Sequence, residues 1–87
     1  NFLKVNLEAA KEIARQLRLR NLSGIIIIDF IDMKTEEYNS RLMDCLRQEL
    51  SKDPVRTVVV DMTKLGLVEV TRKKVRKSLY EQLQVND

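Results

Sequence analysis

Apolar positions in the first twenty residues recur at intervals of three and four. Leu7, Ala10, Ile13, Ala14 and Leu17 mark one face, and this spacing predicts a helix over about 7–20. Asn6 stands where an N-cap belongs and Glu8 falls in the first turn. Arg15, Arg18 and Arg20 crowd the last turns, as the negative end of a helix dipole favours, and read first as a solvated face. Asn21, Ser23 and Gly24 then break the helix. The period changes at Gly24–Met33, GIIIIDFIDM. Four consecutive isoleucines are β-branched and too few for an ordinary helix, which predicts a strand over about 24–30, buried on both faces. Asp29 arrives where that strand ends.

A second helical stripe follows. Thr35 caps, Glu36 and Glu37 fill an acidic first turn, and Tyr38, Leu42, Cys45, Leu46 and Leu50 recur at helical spacing, so a helix is expected over about 35–51. Lys52-Asp53-Pro54 stops it. Residues 56–60, RTVVV, predict a second strand. A strand–helix–strand unit of this length implies a right-handed crossover and parallel pairing of strands 24–30 and 56–60, hence an α/β fold. Both strands would then end in an aspartate, Asp29 and Asp61, at one edge of the sheet. Residues 63–67 read as a loop with Gly66 supplying the turn. From Thr71, the positions of Val75, Leu79 and Leu83 suggest a third helix over about 71–83, made very basic by Arg72, Lys73, Lys74, Arg76 and Lys77.

Composition narrows the chemistry. Eighty-seven residues, 44% hydrophobic and 33% charged, fit one small globular unit or a part of a larger one. The chain opens on Asn1 without an initiator Met or a signal-length apolar run and reads as a soluble piece of a longer protein. With no His and a single Cys, the sequence supports no disulfide, no Cys/His zinc cluster and no His-based triad. Cys45 lies inside an apolar stripe and reads as a small core residue. A net charge of +3 permits a polyanionic partner without requiring one. Within the basic segment, phosphate contact and a solvated helix face are both open readings, and only Tyr80 offers a stacking surface.

Carboxylates are the remaining candidates. Mg²⁺ takes oxygen ligands and commonly uses one or two carboxylates together with substrate phosphate. Asp29, Asp32 and Asp61 are the residues to consider. In continued extended geometry Asp29 and Asp32 face opposite sides, so they share a metal only if the chain turns between them.

Residues 6–33, NLEAAKEIARQLRLRNLSGIIIIDFIDM, followed by TKLGLVEVTRKKVRKSL at 63–79, closely resemble the catalytic region of the ribonuclease E/G family of endoribonucleases. The order of these blocks is kept, with a variable helix between them. The resemblance implies that the 87 residues are a single fragment of a DNase I-like subdomain. It further implies a cytoplasmic, homo-oligomeric bacterial enzyme that cuts single-stranded RNA with Mg²⁺ and prefers a 5′-monophosphate. Asp29, in IDFIDM, corresponds to one of the family's two metal-binding aspartates. The other belongs to a D-x-N-S motif upstream of the NLEAA helix, and no D-x-N-S is present here. Asp61 matches no family motif and is not carried over as a ligand. Lys64, Arg72 and Lys73 are candidate RNA contacts on charge alone. The fragment by itself is expected to be inactive. The rival reading, a non-catalytic α/β regulatory or RNA-binding module, would make Asp29 a regulatory residue, though the acidic pair and late Lys of a receiver domain are not found.

Overall fold

The computed structural model describes residues 1–75. Two helices, α1 (Phe2–Leu19) and α2 (Glu36–Ser51), cover one face of a three-stranded sheet formed by β1 (Gly24–Asp29), β2 (Thr57–Val60) and β3 (Leu67–Arg72). The strand order is β1-β3-β2, and β3 runs antiparallel to both neighbours. The α/β character stands, but the expected parallel pairing of β1 with β2 does not. β1 and β2 do run in the same direction, yet β3 enters between them. The crossover rule applies to adjacent strands, and local spacing gave no sign that a later strand would occupy the middle.

Residues 67–72, LVEVTR, alternate in burial, with Val68, Val70 and Arg72 buried while Leu67 and Glu69 are half-buried and Thr71 exposed. This period of two is that of a strand with one face in the core. The third helix expected over 71–83 is therefore corrected at its start: Thr71 and Arg72 end β3, and residues 73–75 are not helical. Its remainder lies outside the described residues. Gly66 does supply the turn into β3, at φ 81°.

One core joins the layers. Leu3, Ala10, Ala14 and Leu17 of α1 and Leu42, Met43, Leu46 and Leu50 of α2 pack with Ile28, Val68 and Val70 from the sheet. Ala10 and Ala14 are small enough for α2 to approach α1 closely. The other sheet face carries Ile25, Ile27, Val58 and Val60, all exposed, with Ile25 70% accessible. β1 is thus buried on one face only, against the expectation of two. Four isoleucines in a row report apolar surface on both sides of a strand, and only one side is covered by these helices.

The start of α1 also differs from the sequence reading. The helix begins at Phe2, and Asn1 is its cap, its side chain accepting from the Leu3 and Lys4 amides. Asn6 is consequently an interior residue, on the core stripe between Leu3 and Ala10. At the other end Asn21 adopts φ 48°. The Leu22 amide donates to the Leu17 carbonyl at 3.1 Å and the Asn21 amide to Arg18 at 3.2 Å, the paired bonds of a Schellman cap.

Candidate functional site

Both helices point the same way relative to the sheet, so the molecule has two chemically distinct ends. Near the C-terminal ends of β1 and β2 lie the N-termini of α1 and α2. Near their starts lie the two helix C-termini.

Asp29 is at the first of these ends. It is the last residue of β1, paired in register with Leu67, and it is exposed on the same side of the sheet as Ile25 and Ile27. Among the described residues its carboxylate enters none of the ion pairs. The segment after it is pinned at three points. Phe30 and Met33 are buried, and between them the Ile31 amide donates to Asn6 Oδ1 at 3.0 Å while Asn6 Nδ2 donates to the Ile31 carbonyl at 2.8 Å. Asn39 Nδ2 adds a bond to the Met33 carbonyl at 3.1 Å. Asp32, exposed between the second and third pins, lies against the β2–β3 turn, with Oδ1 3.9 Å from where a Cβ on Gly66 would sit. Lys64 is exposed in that same turn. Asp29, Asp32 and Lys64 therefore gather at one end, with both aspartates in solvent.

Asp61 is at this end too, but on the other side. Val58 and Val60 share the exposed face with Ile27, so the next residue, Asp61, turns toward the helices, where it pairs with Arg47 of α2. With β3 interposed, Asp29 and Asp61 stand two strand spacings apart, roughly 10 Å. No three potential metal-binding side chains converge among the described residues. The donor chemistry of Asp29, an exposed carboxylate oxygen with no ion-pair partner among the described residues, fits a hard divalent cation as one ligand of a site that needs at least one more from elsewhere.

The opposite end holds Arg72. Its side chain is 3% exposed. Nε donates to Asp53 Oδ2 at 2.8 Å and Nη2 to Asp53 Oδ1 at 3.3 Å, while Nη1 donates to Asn21 Oδ1 at 2.9 Å and to the Leu22 carbonyl at 3.0 Å. This one guanidinium ties the Schellman cap of α1, the chain just past α2 and the end of β3 together. As a cation at two helix C-termini it is also favourably placed in their dipoles. The reading of Arg72 as an RNA contact is corrected accordingly, because its donors are spent inside the protein. Asp53, expected only as part of a helix stop, is 8% exposed. Its carboxyl is held below the usual carboxylate range, chiefly by the Arg72 hydrogen bonds and further by the Val55 amide, against the opposing effect of burial.

Lys73 follows Arg72 but faces outward. It lines a groove of about 560 Å³ with Pro54, Val55, Arg56, Lys74 and Val75, and its amide donates to the Arg56 carbonyl at 2.9 Å. Five strand steps separate the Asp29 row from the Arg72 row, so Lys73 lies roughly 17–20 Å from Asp29. Lys64 shares the Asp29 end and Lys73 does not. Arg56 was passed over as a candidate; that it lines this groove with Lys73 and Lys74 depends on the β2–β3 pairing, which no local pattern announced.

A family model of the Ribonuclease E/G family matches residues 1–75. Ribonuclease G of Escherichia coli (strain K12) is 60% identical over 78 residues, which cover 90% of this chain and 16% of that protein. Ribonuclease G of Haemophilus influenzae is 58% identical over the same length, and a Ribonuclease E/G-like protein of Pyropia yezoensis is 49% identical over 79 residues. The chain spans about 16% of the length of the curated relatives it matches.

Proposed function

The chain belongs to the ribonuclease E/G family, and from that premise we propose that it is part of a longer, Mg²⁺-dependent endoribonuclease that cuts single-stranded RNA. The observation that carries this reading is Asp29: an exposed carboxylate at the end of β1, followed by a backbone segment pinned by Asn6, Phe30 and Met33. A carboxylate with no structural duty, on a rigid support, is what a metal ligand requires.

In this reading Asp29 holds the cation together with a second carboxylate contributed from outside these residues. The chemistry Mg²⁺ would supply there, held by Asp29 and that second carboxylate, is Lewis-acid activation of water and compensation of charge developing on the scissile phosphate. Asp29 faces away from the helices, so the RNA lies on the open side of the sheet. Lys64, in the adjoining turn, neutralises a phosphate close to the cleaved bond. Lys73, with Arg56 and Lys74, meets a phosphate several nucleotides away along the strand. The two helix N-termini at the Asp29 end add favourable dipole potential for a polyanion. The subdomain is DNase I-like in this proposal, and the parent is a cytoplasmic, bacterial homo-oligomer that prefers a 5′-monophosphate. Among the described residues no helix is long and apolar enough to cross a membrane.

The test is cleavage of a short 5′-monophosphorylated single-stranded RNA by the longer protein and by its Asp29→Asn variant in Mg²⁺. Asn keeps the shape but not the charge. The loss expected exceeds the roughly 10–100-fold that removing an outer partner of a metal ligand costs, and it appears in kcat rather than KM. A variant that cleaves at the parental rate removes Asp29 from the site.

A further inference from the structure

Asn6 is an expensive residue for its position. It sits in the interior of α1, on the stripe otherwise formed by Leu3, Ala10, Ala14 and Leu17, and is 1% exposed. Asn is a poorer helix former than Leu or Ala, and a buried amide is costly unless both its donor and its acceptor are used. Both are used, and on one residue: Oδ1 accepts from the Ile31 amide at 3.0 Å and Nδ2 donates to the Ile31 carbonyl at 2.8 Å. Ile31 belongs to no strand or helix. Its amide and carbonyl therefore have no ladder to join, and the Asn6 side chain takes the place of a strand partner for one residue beyond the end of β1.

We propose that Asn6 is a positioning residue for the Asp29 site, acting by fixing the backbone at Ile31 and so the direction in which Asp29 and Asp32 leave the sheet. The inference rests on the assignment of Asp29 made above. Ile31 lies two residues after Asp29 and one before Asp32, so freedom at Ile31 is transmitted to both carboxylates through very few bonds. The neighbouring anchors, the buried Phe30 and Met33 side chains, hold the segment against the core but leave rotation of the intervening peptides open. The two-point amide clamp removes that rotation. An apolar residue at position 6 would fill the core and lose the clamp, which separates the positioning role from a packing role.

The experiment uses the longer protein with Asn6→Leu, a second variant Asn6→Ala in case the first overpacks, and Leu50→Ala as a core variant at the far end of α2. Three readouts are taken at a temperature where all variants are folded: hydrogen exchange over residues 29–34, affinity for Mn²⁺ alone without RNA, and kcat and KM on single-stranded RNA. The Asn6 variants are expected to exchange faster over 29–34 while α1 stays protected. They should also bind Mn²⁺ and turn over on the order of tenfold more weakly with KM nearly unchanged. Leu50→Ala should lower the melting temperature and leave all three readouts as they were. Asn6 variants with parental Mn²⁺ affinity and kcat overturn the proposal. The Asp29→Asn variant measured beside them separates the two ideas: if it is inactive while the Asn6 variants are fully active, only the positioning role falls, and if it is active, the site assignment falls and this proposal with it.

Discussion

The two ends of the sheet use the same side chains in opposite ways. At one end Asp53 and Arg72 are buried, bonded to each other at 2.8 and 3.3 Å, and surrounded by acceptors that consume most of the remaining guanidinium donors. At the other, Asp29, Asp32 and Lys64 are exposed and enter none of the ion pairs among the described residues. Residue type does not distinguish an aspartate that holds the fold from one that is available for chemistry; what each carboxylate already touches does. The difference also has a physical origin in the helices, whose C-termini meet at the Arg72 end and welcome a cation, and whose N-termini meet at the Asp29 end and welcome anions.

Asp53→Ala is the strongest way to break the structural end. It leaves the Arg72 guanidinium buried without its counter-ion, and loss of one partner of a buried pair costs about 3–5 kcal/mol. Denaturant or thermal unfolding measures it, and a change under about 1 kcal/mol contradicts the role given to this pair.

Acid should act at the same end. The folded Asp53 carboxyl binds a proton less readily than the unfolded one because Arg72 donates to it. Its stabilising contribution is therefore complete above the unfolded value of about 3.9 and is lost as the pH falls through the depressed folded value. The unfolding free energy of the parent should drop more steeply below about pH 4 than that of Asp53→Asn, and parallel curves would show that Asp53 does not report the folded state.

The chain of 87 residues alone sharpens the other half of the comparison. No three potential metal-binding side chains converge among the described residues, so we expect no Mg²⁺-dependent RNA cleavage above background. Cleavage that Asp29→Asn abolishes would mean that the missing ligand is within the chain. Asp61 is a weak candidate for it, since it faces α2 and pairs with Arg47.

The smallest effects belong to the exposed lysines. Neutralising Lys64 or Lys73 should lower the slope of log affinity against log salt for RNA by about 0.7 per phosphate contact and leave stability within about 0.5 kcal/mol. Replacing Arg72 should do the reverse, upsetting stability while leaving the salt slope unaltered in molecules that remain folded.

Much of this arrangement was legible in the sequence. The apolar stripes of α1 and α2 and the β-branched runs of β1 and β2 are strong periodic signals, and Asp29 is found at the strand end where that run stops. β3 was obscured by its own ending: Arg72 opens a run of three cations, Arg72-Lys73-Lys74, which draws attention to a basic surface and away from the alternation of Val68, Val70 and Arg72. Had that period of two been followed one residue further, it would have put Arg72 indoors. Its partner Asp53 could not be recognised, because nineteen residues separate the pair and Asp before Pro is ordinary punctuation. Asn6 was hidden by a displaced helix start. Once α1 begins at Phe2, the spacing of Leu3, Asn6 and Ala10 exposes a polar residue on a core face, but the identity of its partner at Ile31 is tertiary information.

The central claim is that the aspartate at the Arg72 end, Asp53, is committed to the fold while the aspartate at the end of β1, Asp29, is left free for a metal. Measuring thermal unfolding and Mg²⁺-dependent cleavage together on Asp29→Asn and Asp53→Asn of the longer protein tests it most directly. The account predicts that Asp29→Asn melts with the parent and cleaves no RNA, whereas Asp53→Asn melts well below it and cleaves at nearly the parental rate at temperatures where it is folded. An Asp29→Asn protein that keeps its activity, or one that loses activity only because it unfolds, contradicts it.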